Sequence, residues 1–245
     1  MGRLCWFLKV NFMKISQIVL VPGLSSTGAI YRSQVAALPG STLIAETRLD
    51  DTIETMAERL LDTTPDRFVL CGHSMGGYVA LEVMRRAPER VTGLVLVATS
   101  ARAEAPEQTE TRLRLVDLAR ERGIEAAARL LNAKLFGSVG DREALERLAI
   151  DMAVEIGAET FARQQAAIIG RRDQRATLRG IRVPTTVIAG TGDRIITPER
   201  SEEMASAIRG ALLERLDGVG HMVPAEAPDG VTQALRAASD AARSA

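Results

Sequence analysis

Histidine is scarce in this chain, and its scarcity narrows the chemistry that the protein can perform. Only two are present among 245 residues, His73 and His221. Cysteine is equally rare. Cys5 and Cys71 are too few for a disulfide framework and lack metal-ligand spacing, a usage that fits a reducing cytoplasm. Net charge is also missing: 31 basic and 31 acidic residues cancel, leaving no field to attract nucleic acid. No apolar stretch is long enough to span a bilayer. The apolar run in Met1–Lys9 is too short for a signal peptide, and Trp6 stands where a myristoylation signal needs Ser or Thr. Met13-Lys14-Ile15 reads as a more natural beginning, so residues 1–12 are expected to be an upstream extension. Repeats and low-complexity linkers are absent. At 245 residues the chain is long enough to bury a substantial core.

Against these absences stands one dense motif, Gly72-His73-Ser74-Met75-Gly76-Gly77. The pattern G-x-S-x-G is common by chance, but its flanks are not. The apolar run Arg67–Cys71 before it reads as a buried strand. Tyr78–Met84 after it has helical spacing and closes at Pro88. Strand, G-x-S-x-G, helix is the context of a nucleophile elbow, in which a sharp turn lifts Ser74 Oγ clear of the sheet. A Cβ at position 72 or 76 would collide with the neighbouring strand or helix.

A serine hydroxyl is a weak nucleophile near neutral pH and needs an adjacent base. His73 is beside Ser74 on the elbow and points elsewhere, which leaves His221, in Gly220-His221-Met222-Val223-Pro224, as the candidate base. A carboxylate should hold that imidazole. Asp193, in Gly190-Thr191-Gly192-Asp193 just past the strand Thr185–Ala189, is the favoured candidate. Its rivals are Glu104, on the loop after Leu94–Val97, and Asp217, close in sequence to His221. The order Ser74, Asp193, His221 is the one that such folds use. Two backbone N–H groups should stabilise an oxyanion: that of Met75, opening the helix after the elbow, and that of Leu24, in Pro22-Gly23-Leu24 after the first strand.

With these motifs in hand, the chain resembles the α/β-hydrolase superfamily, in its compact bacterial esterase form with a helical cap. Val-Pro-Gly-Leu is similar to the oxyanion segment, with Pro22 where many relatives carry His. Gly-His-Ser-Met-Gly-Gly is similar to the elbow, Gly-Thr-Gly-Asp to the acid loop and Gly-His-Met-Val-Pro to the histidine loop. Ser74 argues against the dehalogenase and epoxide hydrolase branches, whose nucleophile is Asp. The resemblance implies a mostly parallel sheet flanked by helices, built from residues 13–100 and 181–245, and an all-helical cap over 101–180. Strand–helix alternation does stop there, and Leu113, Val116, Leu118, Leu130, Leu131, Leu145, Leu148 and Met152 recur at helical spacing. Phe136 and Phe161 are the only aromatic residues of that stretch, so an aliphatic roof is expected over the cleft. Arg171, Arg172 and Arg175 read as a solvated helix edge, with contact to an anionic substrate as the alternative.

The expected activity is hydrolysis of small to medium carboxylic esters through an acyl-enzyme, with no cofactor or metal. The expected partner is a small-molecule ester, with neither nucleic acid nor membrane. Thioester, lactone or C–C bond hydrolysis, cofactor-free peroxidation and a catalytically silent binding protein are the alternatives.

Overall fold

The computed structural model describes residues 17–244; the expected extension at residues 1–12, with Cys5 and Trp6, lies outside them. Apolar runs separated by turn residues form the strands, and amphipathic stretches between them form the covering helices. In chain order these are β1 (Ile18–Val21), α1 (Arg32–Ala37), β2 (Thr42–Ile44), α2 (Ile53–Thr63), β3 (Phe68–His73), α3 (Met75–Arg86) and β4 (Val91–Val97). Four helices follow without an intervening strand: α4 (Pro106–Arg122), α5 (Ile124–Leu135), α6 (Arg142–Gly170) and α7 (Arg175–Leu178). The alternation resumes with β5 (Thr185–Gly190), α8 (Pro198–Ala207), β6 (Leu212–Leu216), α9 (Val223–Glu226) and α10 (Pro228–Ser244).

The six strands form one parallel sheet in the order β2-β1-β3-β4-β5-β6. This is the α/β-hydrolase arrangement that the resemblance implied. Alternate side chains of the strands feed two separate cores. Val19, Val21, Leu70, Leu94, Leu96 and Val187 pack with α2, α3 and α8 on one face. Ile18, Leu20, Val69, Cys71, Val95 and Val97 pack with α10 on the other. The central strands, covered on both faces, are therefore mostly apolar and almost wholly buried, whereas the edge strands β2 and β6 carry exposed positions.

The strand order reverses beside β1, because β2 leaves on one side and β3 on the other. Ligand sites in open parallel sheets lie at the carboxyl ends of strands near such a reversal. The turns after β1 and β3 carry Leu24 and Ser74, so both open onto that crevice.

Helices α4 to α6 hold a small core of their own, made by Val116, Ala119, Ala127, Ile156 and Phe161. Phe161 is thus packed inside the insertion and does not line the cleft. Leu113 and Leu130 are exposed despite their helical spacing. Leu130 precedes Leu131 by one residue, about 100° of helical rotation, so when Leu131 faces inward Leu130 turns away. Helix α6 breaks at Gly157, whose φ of 75° and ψ of 164° leave the helical region, and its two limbs run on from there in different directions. At the start of α2 the capping residue is Thr52, whose Oγ1 accepts from Thr55 N at 3.1 Å.

Candidate active site

Ser74 stands between β3 and α3 with φ 53° and ψ −116°, a strained conformation for a residue with a Cβ. The turn is held open by its neighbours. A Cβ on Gly72 would overlap the Gly76 carbonyl, and one on Gly76 would overlap Val21 O at the end of β1. Ser74 N donates to Val97 O at 3.0 Å, and Thr99 Oγ1 donates to Ser74 O at 2.7 Å. A backbone bond to the adjoining strand and a side-chain bond from the loop after it thus fix a conformation that local propensity would reject.

The structure brings Ser74, His221 and Asp193 into one buried hydrogen-bonded chain. His221 Nε2 lies 2.9 Å from Ser74 Oγ, and His221 Nδ1 lies 2.7 Å from Asp193 Oδ2. Asp193 Oδ1 accepts the N–H groups of Ile195 at 2.8 Å and Ile196 at 3.0 Å, so its free oxygen is aimed at the imidazole. The carboxylate sets the tautomer: Nδ1–H donates to Asp193, leaving Nε2 to accept from the serine. Glu104, the rival acid, points elsewhere. It is bonded by Arg112 and Arg171. Leu24 lines the same cavity as Ser74, and Gly23 lets this loop come close. A Cβ there would sit 3.2 Å from Ser74 Cβ. Met75 is the first residue of α3, where a backbone N–H has no intrahelical acceptor.

Three side chains outside the Ser74–His221–Asp193 chain hold this geometry. Glu226, buried at the end of α9, accepts from Gly137 N at 2.8 Å, Gly220 N at 2.9 Å and Met222 N at 2.9 Å. One carboxylate therefore ties the histidine loop to the connection between α5 and α6. His221 N adds a bond to Leu135 O at 2.6 Å. Gln164, on the second limb of α6, accepts from Ser25 N at 2.9 Å and donates to Thr47 O at 3.2 Å, pinning the loop after β1. Nothing in the sequence marked Glu226 or Gln164, because their partners are backbone groups far along the chain.

His73 is the third. Its Nε2 donates to His221 O at 2.8 Å, which braces the elbow against the histidine loop. Burial pulls its pKa down from 6.5 to about 3, with the nearby His221 adding to the shift. The folded imidazole therefore stays neutral to about pH 3, while the unfolded one takes up a proton near pH 6.5. Between those values the unfolded state binds more protons, so stability falls as pH falls through the window. The loss should be on the order of a few kcal/mol across the window. Urea unfolding at pH 7, 5.5 and 4.5 should show a clearly shallower slope in His73→Gln than in the wild type. Equal slopes would assign the acid sensitivity to other groups. Cys71, on β3, is a poor rival nucleophile: burial pushes its thiol up to about 12.

The cavity over Ser74 has a volume of about 90 Å³. Aliphatic residues from α5 and α6, among them Ala128, Leu131, Leu135, Ala149 and Met152, form one wall. Ile195, Ile196 and Met222 come from the loops that carry Asp193 and His221. Arg171, expected at a solvated edge, is instead buried, with its guanidinium 4.5 Å from the centre of the Tyr78 ring. Arg172 and Arg175 remain half exposed. Among the described residues, no group of three His, Cys, Asp or Glu side chains is placed to hold a metal, and no helix is long and apolar enough to cross a membrane.

Residues 18–234 match the family model described as the alpha/beta hydrolase family. The chain belongs to that family. Within it, this hydrolase is 30% identical over 188 residues to the pimeloyl-[acyl-carrier protein] methyl ester esterase of Aromatoleum aromaticum, covering 69% of this chain and 73% of the relative. Among solved structures it is similar to a thermophilic esterase from Thermogutta terrifontis, with TM-score 0.82 and 27% identity over 91% of this chain and 88% of that one. The enol-lactonase of Burkholderia xenovorans LB400 superposes with TM-score 0.79 and 28% identity, covering 91% of each chain.

Proposed function

We propose that this hydrolase cleaves small to medium carboxylic esters through an acyl-enzyme on Ser74. The observation that carries the reading is the continuous chain from Ser74 Oγ through His221 to Asp193, at the mouth of an aliphatic cavity. In this scheme Ser74 Oγ attacks the ester carbonyl while His221 Nε2 takes its proton. The tetrahedral oxyanion forms between the N–H groups of Leu24 and Met75. His221 returns the proton to the departing alcohol, and Asp193 stabilises the imidazolium in between. Water, deprotonated by the same nitrogen, then attacks the acyl group, and the acid leaves as Ser74 regains its proton.

Residues 101–180 serve in this reading as a cap, with residues 13–100 and 181–245 as the core. Both limbs of α6 support that role, since the first supplies Met152 and the second Ile168 to the cavity. A volume near 90 Å³ is smaller than the roughly 150 Å³ of a cavity that admits benzene, so short acyl groups are favoured. A buried, unlinked Cys71 is in keeping with a cytoplasmic location.

The test is a fluorophosphonate probe together with p-nitrophenyl esters of two to sixteen carbons. Covalent labelling of Ser74 and a maximum in kcat/KM at four to eight carbons are expected. Failure to label, or a preference for the longest ester, would overturn the reading.

A further inference from the structure

Among the described residues, Arg112 is the one Arg, Lys, Asp or Glu in the wall of the cavity over Ser74. It reaches there from α4. Its Nε donates to Glu104 Oε1 at 2.6 Å and its Nη1 to Gln165 Oε1 at 3.0 Å. These two bonds hold the fork in place but do not balance its charge. Glu104, whose side chain is 3% exposed, is shared with the buried guanidinium of Arg171. Two cations therefore lean on one carboxylate, and one positive charge is left over at a site where Arg112 is only 19% exposed. An uncompensated charge so far out of water is costly unless an anion completes it. A clasp between α4 and α6 needs no charge for its own sake.

Among the described residues, three that line the cavity carry a buried polar atom without a hydrogen bond: Ser25 Oγ, which can donate, and the acceptors Asn132 Oδ1 and His73 Nδ1. The Nη2 of Arg112 also makes no hydrogen bond among the described residues. The unbonded Nη2 of Arg112 and the hydroxyl of Ser25 belong to two residues of the cavity wall, and each can donate to a carboxylate oxygen.

We propose that this wall is a carboxylate subsite, so that the preferred substrate is an ester carrying a second, free carboxylate. The inference rests on the ester-hydrolase reading above. Arg112 is then a specificity-determining residue that pairs with the anionic end, while the apolar wall holds the carbon chain between that end and the reacting carbonyl. The second carboxylate belongs either to the acyl half or to the alcohol half, and both recognise the same fork.

The experiment compares anionic esters with neutral isosteres in which a methyl ketone replaces the carboxylate. For the acyl half these are the monomethyl esters of four- to six-carbon dicarboxylic acids against methyl keto-esters of equal length, such as methyl levulinate. For the alcohol half they are acetoxyacetate against acetoxyacetone. In the wild type, kcat/KM for the anionic member of at least one pair should exceed that of its isostere by about tenfold or more. In Arg112→Met this ratio should fall by about tenfold, and in Arg112→Lys, which keeps the charge but not the fork, it should fall less. The inference is overturned if the wild type prefers the neutral member of every pair, a result that needs no variant to fold. It is also overturned if both variants keep the ratio within about twofold of wild type. Should the neutral esters be cleaved without any anionic preference, the subsite alone fails. Should no ester of any pair be cleaved, the reading beneath it fails too.

Discussion

Ser74→Ala and His221→Ala should each slow ester hydrolysis at least ~10³-fold, because a nucleophile and its base act as a unit and removing either disables both. The two variants differ in what they do to the fold. Alanine at position 74 keeps a Cβ at φ 53°, so the strain of the elbow is unchanged and unfolding should shift by roughly 1 kcal/mol or less. His221→Ala strips Asp193 Oδ2 of its partner in a buried setting, which costs about 1–3 kcal/mol. His221→Gln, with an amide able to reach Asp193, separates the two effects. It should recover part of the stability and none of the activity. The measurements are kcat on p-nitrophenyl butyrate and the urea midpoint for each variant. A folded His221 variant retaining most of its activity would remove His221 from the mechanism.

The second large effect is expected at Asp193→Asn, with a loss of about 10³- to 10⁴-fold in kcat. The asparagine carbonyl can still accept from Ile195 and Ile196, which leaves its NH₂ facing His221 Nδ1. That nitrogen must then accept, so the proton moves to Nε2. The ring nitrogen facing Ser74 Oγ becomes a donor and cannot take the serine proton. Glu104→Gln is the comparison. It loosens Arg112 and Arg171 but leaves the imidazole tautomer alone, so its kcat on a neutral ester should fall by less than about tenfold. A larger loss at Glu104 than at Asp193 would move the acid to the loop after β4.

Much of this was legible along the chain, for reasons that are local. Parallel strands buried on both faces are near-continuous apolar runs, so β1, β3, β4 and β5 stand out along the chain. The elbow is legible because its backbone leaves no room for a Cβ at Gly72 or Gly76, which writes the constraint into the sequence itself. With only two histidines, and one of them beside Ser74 on the turn, a single candidate base remained. The choice of Asp193 as the candidate acid rested only on an order of residues. Choosing Asp193 over Glu104 depends on which carboxylate meets Nδ1, and their loops follow neighbouring parallel strands.

What tertiary structure alone decided concerns pairs distant in sequence. Glu226 reads as one more helical glutamate until folding places it among the N–H groups of Gly137, Gly220 and Met222. Leu113 and Leu130 fit the apolar spacing of the insertion yet face solvent, whereas Phe161 packs within it. Periodicity marks a helical face but does not say what covers it. Arg171 shows the same limit. Beside Arg172 it reads as surface, and only the meeting of α6 with Glu104 and Tyr78 takes it out of water. Sequence by itself determined the sheet, the elbow and the chemical class of the site, since each rests on short-range sterics or on residue types with no substitute. The cavity walls, the clamps on the loops and the charge left over at Arg112 arise where segments tens of residues apart come together, and only the folded chain brings them there.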